Sequence, residues 1–139
     1  LGNICRSPIA EGVMRDLAEK KKCDVKVDSC GTGGWHAGEH PDHRAVQTMT
    51  TMDIDISQLR ARKFIEADFD KFDLILTMDR SNFNDIMQLA KNDVHRAKVK
   101  MALPKGDVPD PYYGTLKDFE AVYDLLVPAM ERHLNELVG

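Results

Sequence analysis

The sequence begins with Leu1-Gly2-Asn3-Ile4-Cys5-Arg6-Ser7-Pro8, and this stretch predicts a loop that opens directly into a helix. Gly2 allows the backbone to turn sharply or to approach a ligand closely, and Pro8 suits the first position of a helix. Successive loop N–H groups that point toward a helix N-terminus form an anion-binding site. Arg6 adds a planar, permanently charged group that matches phosphate oxygens two at a time. An ordinary loop with a surface arginine is the alternative that these eight residues leave open.

The composition is that of a globular protein with one domain. The chain has 139 residues, enough for a sizeable core, and its net charge of −4 argues against a broad nucleic-acid-binding surface. A local positive pocket is compatible with that sum. No apolar run approaches the length that crosses a membrane. The three cysteines show no metal-like spacing, which favours reduced thiols in a cytoplasmic setting.

Apolar periodicity predicts strands that alternate with helices. Strands are predicted over 24–29, 74–78 and 98–103. Helices are predicted over 8–20, from a cap at Asp42 to about 52, after a cap at Ser81, and from 115 to about 137, with a helical turn near 66–70. This alternation indicates an α/β fold with a parallel sheet.

A second motif, Asp110-Pro111-Tyr112-Tyr113-Gly114, follows a loop rich in proline and glycine. A carboxylic acid on a loop can give a proton to a leaving oxygen and later take one from water. Pro111 restricts Asp110 to an extended conformation, and the two tyrosines can form a wall for an aromatic ring. Taken alone, an Asp-Pro-aromatic run is most often a simple turn.

Together and in this order, the two motifs resemble the low-molecular-weight protein tyrosine phosphatases, over nearly the whole chain. That family's signature is a cysteine, five residues, an arginine, and then serine or threonine; here these are Leu1 to Cys5, Arg6 and Ser7. The nucleophilic cysteine would therefore precede Leu1. Cys5 is not that nucleophile, because it is adjacent to Arg6.

The resemblance implies a three-layer α/β fold with a four-stranded parallel sheet and helices on both faces. The first, central strand would lie before the missing cysteine. We therefore expect residues 1–139 to form a single phosphatase-like domain that lacks this strand and the nucleophile. The predicted strands near Val27 and Leu74 are then expected not to pair with each other.

The resemblance also assigns roles to individual residues. Phosphate is expected to bind to the loop of Leu1, Gly2, Asn3, Ile4, Cys5, Arg6 and Ser7. Arg6 and Asp110 are the expected catalytic residues, with Asp110 as the general acid. The substrate cleft is expected to be lined by Trp35, His36, Tyr112 and Tyr113. Ser29 is expected to support the phosphate loop and orient Ser7, and Asp79 to anchor the loop of the general acid.

Several of these residues also have a purely structural interpretation. Trp35 can be a half-buried anchor and His36 a solvated loop residue. Ser29 can simply end a strand at a turn. His36, His40 and His43 share one loop, but no further His or Cys pair completes a zinc site, so no metal is expected.

The cysteines carry a separate expectation. Cys5 lies in an electropositive loop, where the pKa of a thiol should fall. By resemblance it can form a reversible disulfide with the nucleophile and protect that residue from further oxidation. Cys23 and Cys30 are predicted to be small core fillers.

The function implied by the resemblance is a cytoplasmic phosphatase that needs no cofactor. Its substrate would be a phosphotyrosine-containing protein or a small aryl phosphate, with inorganic phosphate as product and inhibitor. We expect no nucleic-acid or membrane partner, and a monomer or weak dimer.

Three alternatives are weighed against this function. The first is a catalytically inactive module that binds phosphate or phosphopeptides and has no nucleophilic cysteine. Protein-arginine phosphatases tend to carry Thr where Ile4 stands and lack the paired tyrosines. Arsenate reductases of this fold need further cysteines after the third strand, and residues 79–100 contain none.

Overall fold

The computed structural model describes residues 4–34 and 36–138, which form a mixed α/β structure. Its elements are α1 (Arg6–Lys20), α2 (His43–Thr51), α3 (Asp68–Lys71), β1 (Ile75–Thr77), α4 (Arg80–Leu89), α5 (Asp93–Lys98), β2 (Val99–Met101) and α6 (Leu116–Val138). Strands β1 and β2 pair in parallel, with Ile75 opposite Val99. No helix in the described ranges combines the length and the apolarity that a membrane crossing needs.

The first helix forms where the sequence predicts it and ends in a regular cap. Pro8 lies in its first turn, where backbone N–H groups have no partner within the helix. At the other end, Lys22 adopts a left-handed conformation with φ of 54°. The N–H of Cys23 then donates to Ala18 O at 2.8 Å, and the N–H of Lys22 to Glu19 O at 3.1 Å. These two bonds form a Schellman motif without glycine, and they reverse the chain after α1.

The core lies where α1 packs against α6 and α2. Ile9 and Val13 on α1 are at most 2% exposed, and Phe119 and Leu126 on α6 are fully buried. Their spacing of four and seven residues places each pair on one face of its helix. Gly12 allows the closest approach, because a Cβ there would lie 2.7 Å from Cγ2 of Ile56. A smaller cluster contains Phe64, Phe69, Ile86 and Val99.

The predicted strand over 24–29 has no pairing partner among the described residues, so it stays a prediction. Within the described residues this segment forms no strand ladder, and the parallel sheet contains only β1 and β2. A strand needs a neighbour to accept and donate its backbone hydrogen bonds, and β1 does not provide one for this segment. The chain near Val27 does not pair with β1, which agrees with the expectation that the strands near Val27 and Leu74 are not neighbours. The first bridge after this segment joins Gly31 to Lys63.

One predicted helix cap is corrected, and one helix is found that the sequence did not predict. Helix α4 is capped by Asp79, whose Oδ1 accepts from the N–H of Asn82 at 2.7 Å, and not by Ser81. Both residue types are good caps, so the sequence alone did not separate them. Helix α5 was not predicted; Asn92 caps it by accepting from the N–H of His95 at 2.8 Å. With six residues, it is too short to show a clear apolar period.

Candidate active site

The described part of the candidate phosphate loop leads directly into α1. Leu1, Gly2, Asn3 and Trp35 lie outside the described residues. Ile4 packs against the core, Cys5 occupies the position before the helix, and Ser7 is half-buried in the first turn. The first-turn N–H groups lack helical partners and carry the positive end of the helix dipole. This end of α1 therefore suits an anion.

Arg6 joins three separate parts of the chain. Its side chain is only 6% exposed, and its Nη1 lies 2.9 Å from Oδ2 of Asp79. The same Nη1 donates to Val108 O at 2.8 Å. Within residues 4–34 and 36–138, only Nη1 of this guanidinium has a partner. Nε and Nη2 thus remain to donate two parallel hydrogen bonds to an oxyanion.

Asp110 lies directly before a turn, in a stretch that we call the acid segment, residues 108–114. The Asp110 side chain is exposed, and its Oδ1 accepts from the N–H of Tyr112 at 3.1 Å. The N–H of Gly114 donates to Pro111 O at 2.8 Å and closes the turn. The rings of Tyr112 and Tyr113 meet edge to face with centroids 4.9 Å apart, and Tyr113 is 95% exposed. Exposed aromatic surface thus follows Asp110 directly along the chain.

Arg44, which sequence reasoning missed, binds the other end of the acid segment. Its Nη1 donates to Gly114 O at 2.9 Å and its Nη2 to Tyr112 O at 2.7 Å. Asp42 accepts from Nε and Nη2 of Arg44 at 3.0 and 2.9 Å. These bonds hold the pKa of Asp42 below its ordinary value. The only local feature of the sequence that could have pointed to Arg44 is the cap residue Asp42, two positions before it.

The structure contradicts the expected fall of the Cys5 pKa. Burial, together with the charges of Asp42 and Asp110, raises the pKa of the Cys5 thiol to about 12. At neutral pH this thiol is therefore protonated and a poor nucleophile. Cys30 behaves alike, since burial raises its pKa to about 12. Cys5 packs in the main core, Cys30 packs against the smaller cluster, and all three cysteines are free.

Ser29 faces α1 through a residue that sequence reasoning also missed. Its hydroxyl donates to Oε1 of Glu11 at 2.6 Å. Glu11 is 3% exposed, and its other oxygen lies 2.6 Å from Nη2 of Arg15. Burial raises the pKa of Glu11 above its ordinary value. The Ser29 oxygen keeps its acceptor capacity while its proton goes to Glu11, and the support of Ser7 by Ser29 stays a prediction.

The described contacts of His36 are local to its own loop, and one small cavity reaches the start of α1. His36 pairs through Nδ1 with Glu39, so it is held within its loop. A cavity of about 50 Å3 has Ser7, Cys30 and Thr77 among its lining residues. Within the described part of the chain, no group of three or more His, Cys, Asp or Glu side chains could hold a metal ion.

Comparison with known proteins gives one consistent result. A family model described as low molecular weight phosphotyrosine protein phosphatase matches residues 1–138. The low molecular weight protein-tyrosine-phosphatase YfkJ of Bacillus subtilis is 39% identical over 141 residues, which cover 96% of this chain and 89% of that protein.

Two solved structures extend the comparison to the fold. A protein tyrosine phosphatase from Entamoeba histolytica, crystallised with Hepes in its active site, superposes with a TM-score of 0.93 at 31% identity, covering 99% of this chain and 92% of that one. Vibrio vulnificus Wzb in complex with benzylphosphonate superposes with a TM-score of 0.87 at 25% identity, covering 98% of this chain and 93% of that one.

Proposed function

This chain belongs to the low molecular weight phosphotyrosine protein phosphatase family, and from that premise we propose that it hydrolyses phosphotyrosine through a phosphocysteine. As a member it is a protein tyrosine phosphatase, a hydrolase of phosphate monoesters. The observation that carries the proposed mechanism is the bonding of Arg6. One guanidinium nitrogen joins the start of α1 to Val108, while the other two nitrogens have no partner in the described residues.

In the proposed first step, a cysteine thiolate attacks phosphorus in line with the leaving oxygen. The family signature puts this cysteine one position before Leu1. Arg6 and the loop amides hold the equatorial oxygens while charge redistributes over them. Asp79 keeps the guanidinium in place through its 2.9 Å ion pair. The S–P bond forms as the O–P bond of the ester breaks.

Asp110 is proposed to supply the proton for the leaving tyrosine oxygen. Val108, two positions earlier, is bonded to Arg6, so the acid segment begins beside the group that would bind phosphate. In the second step Asp110 takes a proton from water, which attacks the phosphocysteine and releases inorganic phosphate. The hydroxyl of Ser7 steadies the departing thiolate. Nothing in these steps calls for a metal or an organic cofactor.

The proposed substrate is a phosphotyrosine-containing protein or a small aryl phosphate. Tyr112 and Tyr113 present aromatic surface next to Asp110 in the chain, and we propose that Trp35 and His36 also line the cleft. The benzylphosphonate bound to the Vibrio protein joins an aromatic ring to a phosphonate, which is the same combination. We further propose a four-stranded, three-layer domain that is a monomer or weak dimer. The three free cysteines support a cytoplasmic setting.

The test uses the full-length protein as its gene encodes it, with phenyl phosphate and nitrophenyl phosphate as substrates. Asp110→Asn is expected to lower kcat/KM for phenyl phosphate by about 10²–10⁴-fold, and less for nitrophenyl phosphate, whose leaving group needs less protonation. Arg6→Lys should abolish turnover of both, because lysine cannot present two parallel donors. Asp93→Asn, at a fully exposed carboxylate on α5, is the matched control and should change nothing.

Other outcomes would point to other functions. An equal loss with both esters would make Asp110 a structural residue. Full-length protein that binds inorganic phosphate without hydrolysing either ester would be a phosphate- or phosphopeptide-binding module. Faster release of phosphate from phosphoarginine than from phosphotyrosine would identify a protein-arginine phosphatase. The residue encoded before Leu1, read from the gene or from intact mass, should be cysteine.

A further inference from the structure

The acid segment is held by two arginines, one on each side of Asp110. Val108, two positions before Asp110, accepts from Arg6 at 2.8 Å. Tyr112, two positions after it, accepts from Arg44 at 2.7 Å. The carboxyl group itself is exposed and, within the described residues, accepts only a local bond from the turn that follows it. Its position is therefore set by the backbone on either side.

Arg44 is fixed on several sides. Both carboxylate oxygens of Asp42 accept from the Arg44 guanidinium, Oδ1 from Nε at 3.0 Å and Oδ2 from Nη2 at 2.9 Å. Gly114 O and Tyr112 O accept from its two terminal nitrogens. The guanidinium carbon lies 4.6 Å from the ring centroid of Phe119, which is fully buried. A side chain with this many partners can hold a loop in one place, since its own rotamers are restricted.

Asp42 extends this arrangement to the phosphate loop. Its backbone N–H donates to Ile4 O at 2.6 Å. A continuous path of bonds thus runs from Ile4 through Asp42 and Arg44 to Tyr112. It ties the loop that would bind phosphate to the segment that carries the acid, through residues that lie outside both.

We propose that Arg44, held by Asp42, is a positioning residue that fixes Asp110 relative to the phosphate loop. This inference rests on the proposed function, because it requires Asp110 to be the general acid. The planar guanidinium meets a carboxylate and two carbonyl oxygens at once, which a lysine ammonium on a flexible stem cannot reproduce. Displacement of a proton donor by about 1 Å can lower a rate by about 10²-fold.

The test replaces Arg44 in the full-length protein and measures kcat/KM with two leaving groups. Arg44→Met is expected to lower kcat/KM about 10- to 100-fold for phenyl phosphate and several-fold less for nitrophenyl phosphate. The inhibition constant of inorganic phosphate should change less than about twofold, because Arg6 and the loop amides are intact. Arg44→Lys should recover only part of the loss. Arg96→Met, which removes an arginine paired with a carboxylate on α5, is the matched control.

A double variant distinguishes positioning from a general structural role. If Arg44 acts through Asp110, then Arg44→Met combined with Asp110→Asn should be no slower than Asp110→Asn alone. Losses that multiply, or a loss that is equal for both esters and weakens phosphate inhibition, would overturn the inference. Circular dichroism checks folding; if Arg44→Met does not fold, the Arg44→Lys variant is used for the same double comparison.

The outcomes also separate this inference from the function on which it rests. Full-length wild-type protein that hydrolyses no aryl phosphate, or full activity in Asp110→Asn, would overturn both. A different result is that the wild type and Asp110→Asn give the expected kcat/KM values while Arg44→Met keeps the wild-type ratio of kcat/KM between the two esters. That result would overturn only the role of Arg44.

Discussion

The ion pair between Arg6 and Asp79 supports a quantitative prediction about stability. Arg6 is 6% exposed and Asp79 19% exposed, with 2.9 Å between Nη1 and Oδ2. Asp79→Asn removes the charge partner of a buried guanidinium, which typically costs about 3–5 kcal/mol. Partial exposure of the carboxylate and the remaining bond to Val108 O reduce this, so we expect a loss of about 2–3 kcal/mol in the free energy of unfolding.

A second substitution separates the charge from the helix cap. Oδ1 of Asp79 also accepts from the N–H of Asn82 at 2.7 Å. Asparagine caps a helix about as well as aspartate, whereas alanine does not, so Asp79→Ala should lose about 1 kcal/mol more than Asp79→Asn. Urea unfolding followed by far-UV circular dichroism measures both variants at pH 7.

The double variant Arg6→Met/Asp79→Asn shows whether the buried charge is the cause. Methionine removes the unpaired guanidinium and fills part of its volume, so the double variant should be more stable than Asp79→Asn alone. The reasoning is refuted if Asp79→Asn is as stable as the wild type. It is equally refuted if the losses of the two single substitutions simply add.

Two further substitutions test the packing and the titration of α1. Gly12→Ala should lose about 1–2 kcal/mol, because the strain of overpacking against Ile56 outweighs the better helix propensity of alanine; Gly34→Ala, whose Cβ would make only an ordinary contact, is the control, and equal stabilities would contradict this account. The pKa of Glu11 is raised in the folded state, so the native state binds this proton more tightly and the contribution of Glu11 to stability falls as pH rises above 4.5. Urea titrations at pH 4 and pH 7 compare the free energy of unfolding of the wild type with that of Glu11→Gln. The wild type should lose stability relative to Glu11→Gln as the pH rises. A difference that does not change with pH would mean that the folded state does not favour protonation of Glu11.

Local pattern predicted much of the helical framework. Apolar residues such as Ile9 and Val13 at helical spacing predict α1, and Asp42 was correctly predicted to cap α2. The stretches around Arg6 and Asp110 also carried the family resemblance, which the comparisons confirm. These signals are short-range, because helix periodicity, caps and turn residues act within a few positions along the chain.

Contacts between distant parts of the chain were decided only by the tertiary structure. The bond from Arg6 to Val108 spans 102 residues, and the bond from Arg44 to Gly114 spans 70. No periodicity or spacing rule reports such a pair, because its formation depends on how the helices pack. The unpaired segment over 24–29 and the raised pKa of Cys5 have the same origin. Strand pairing and desolvation are properties of the surroundings, and those exist only in the folded chain.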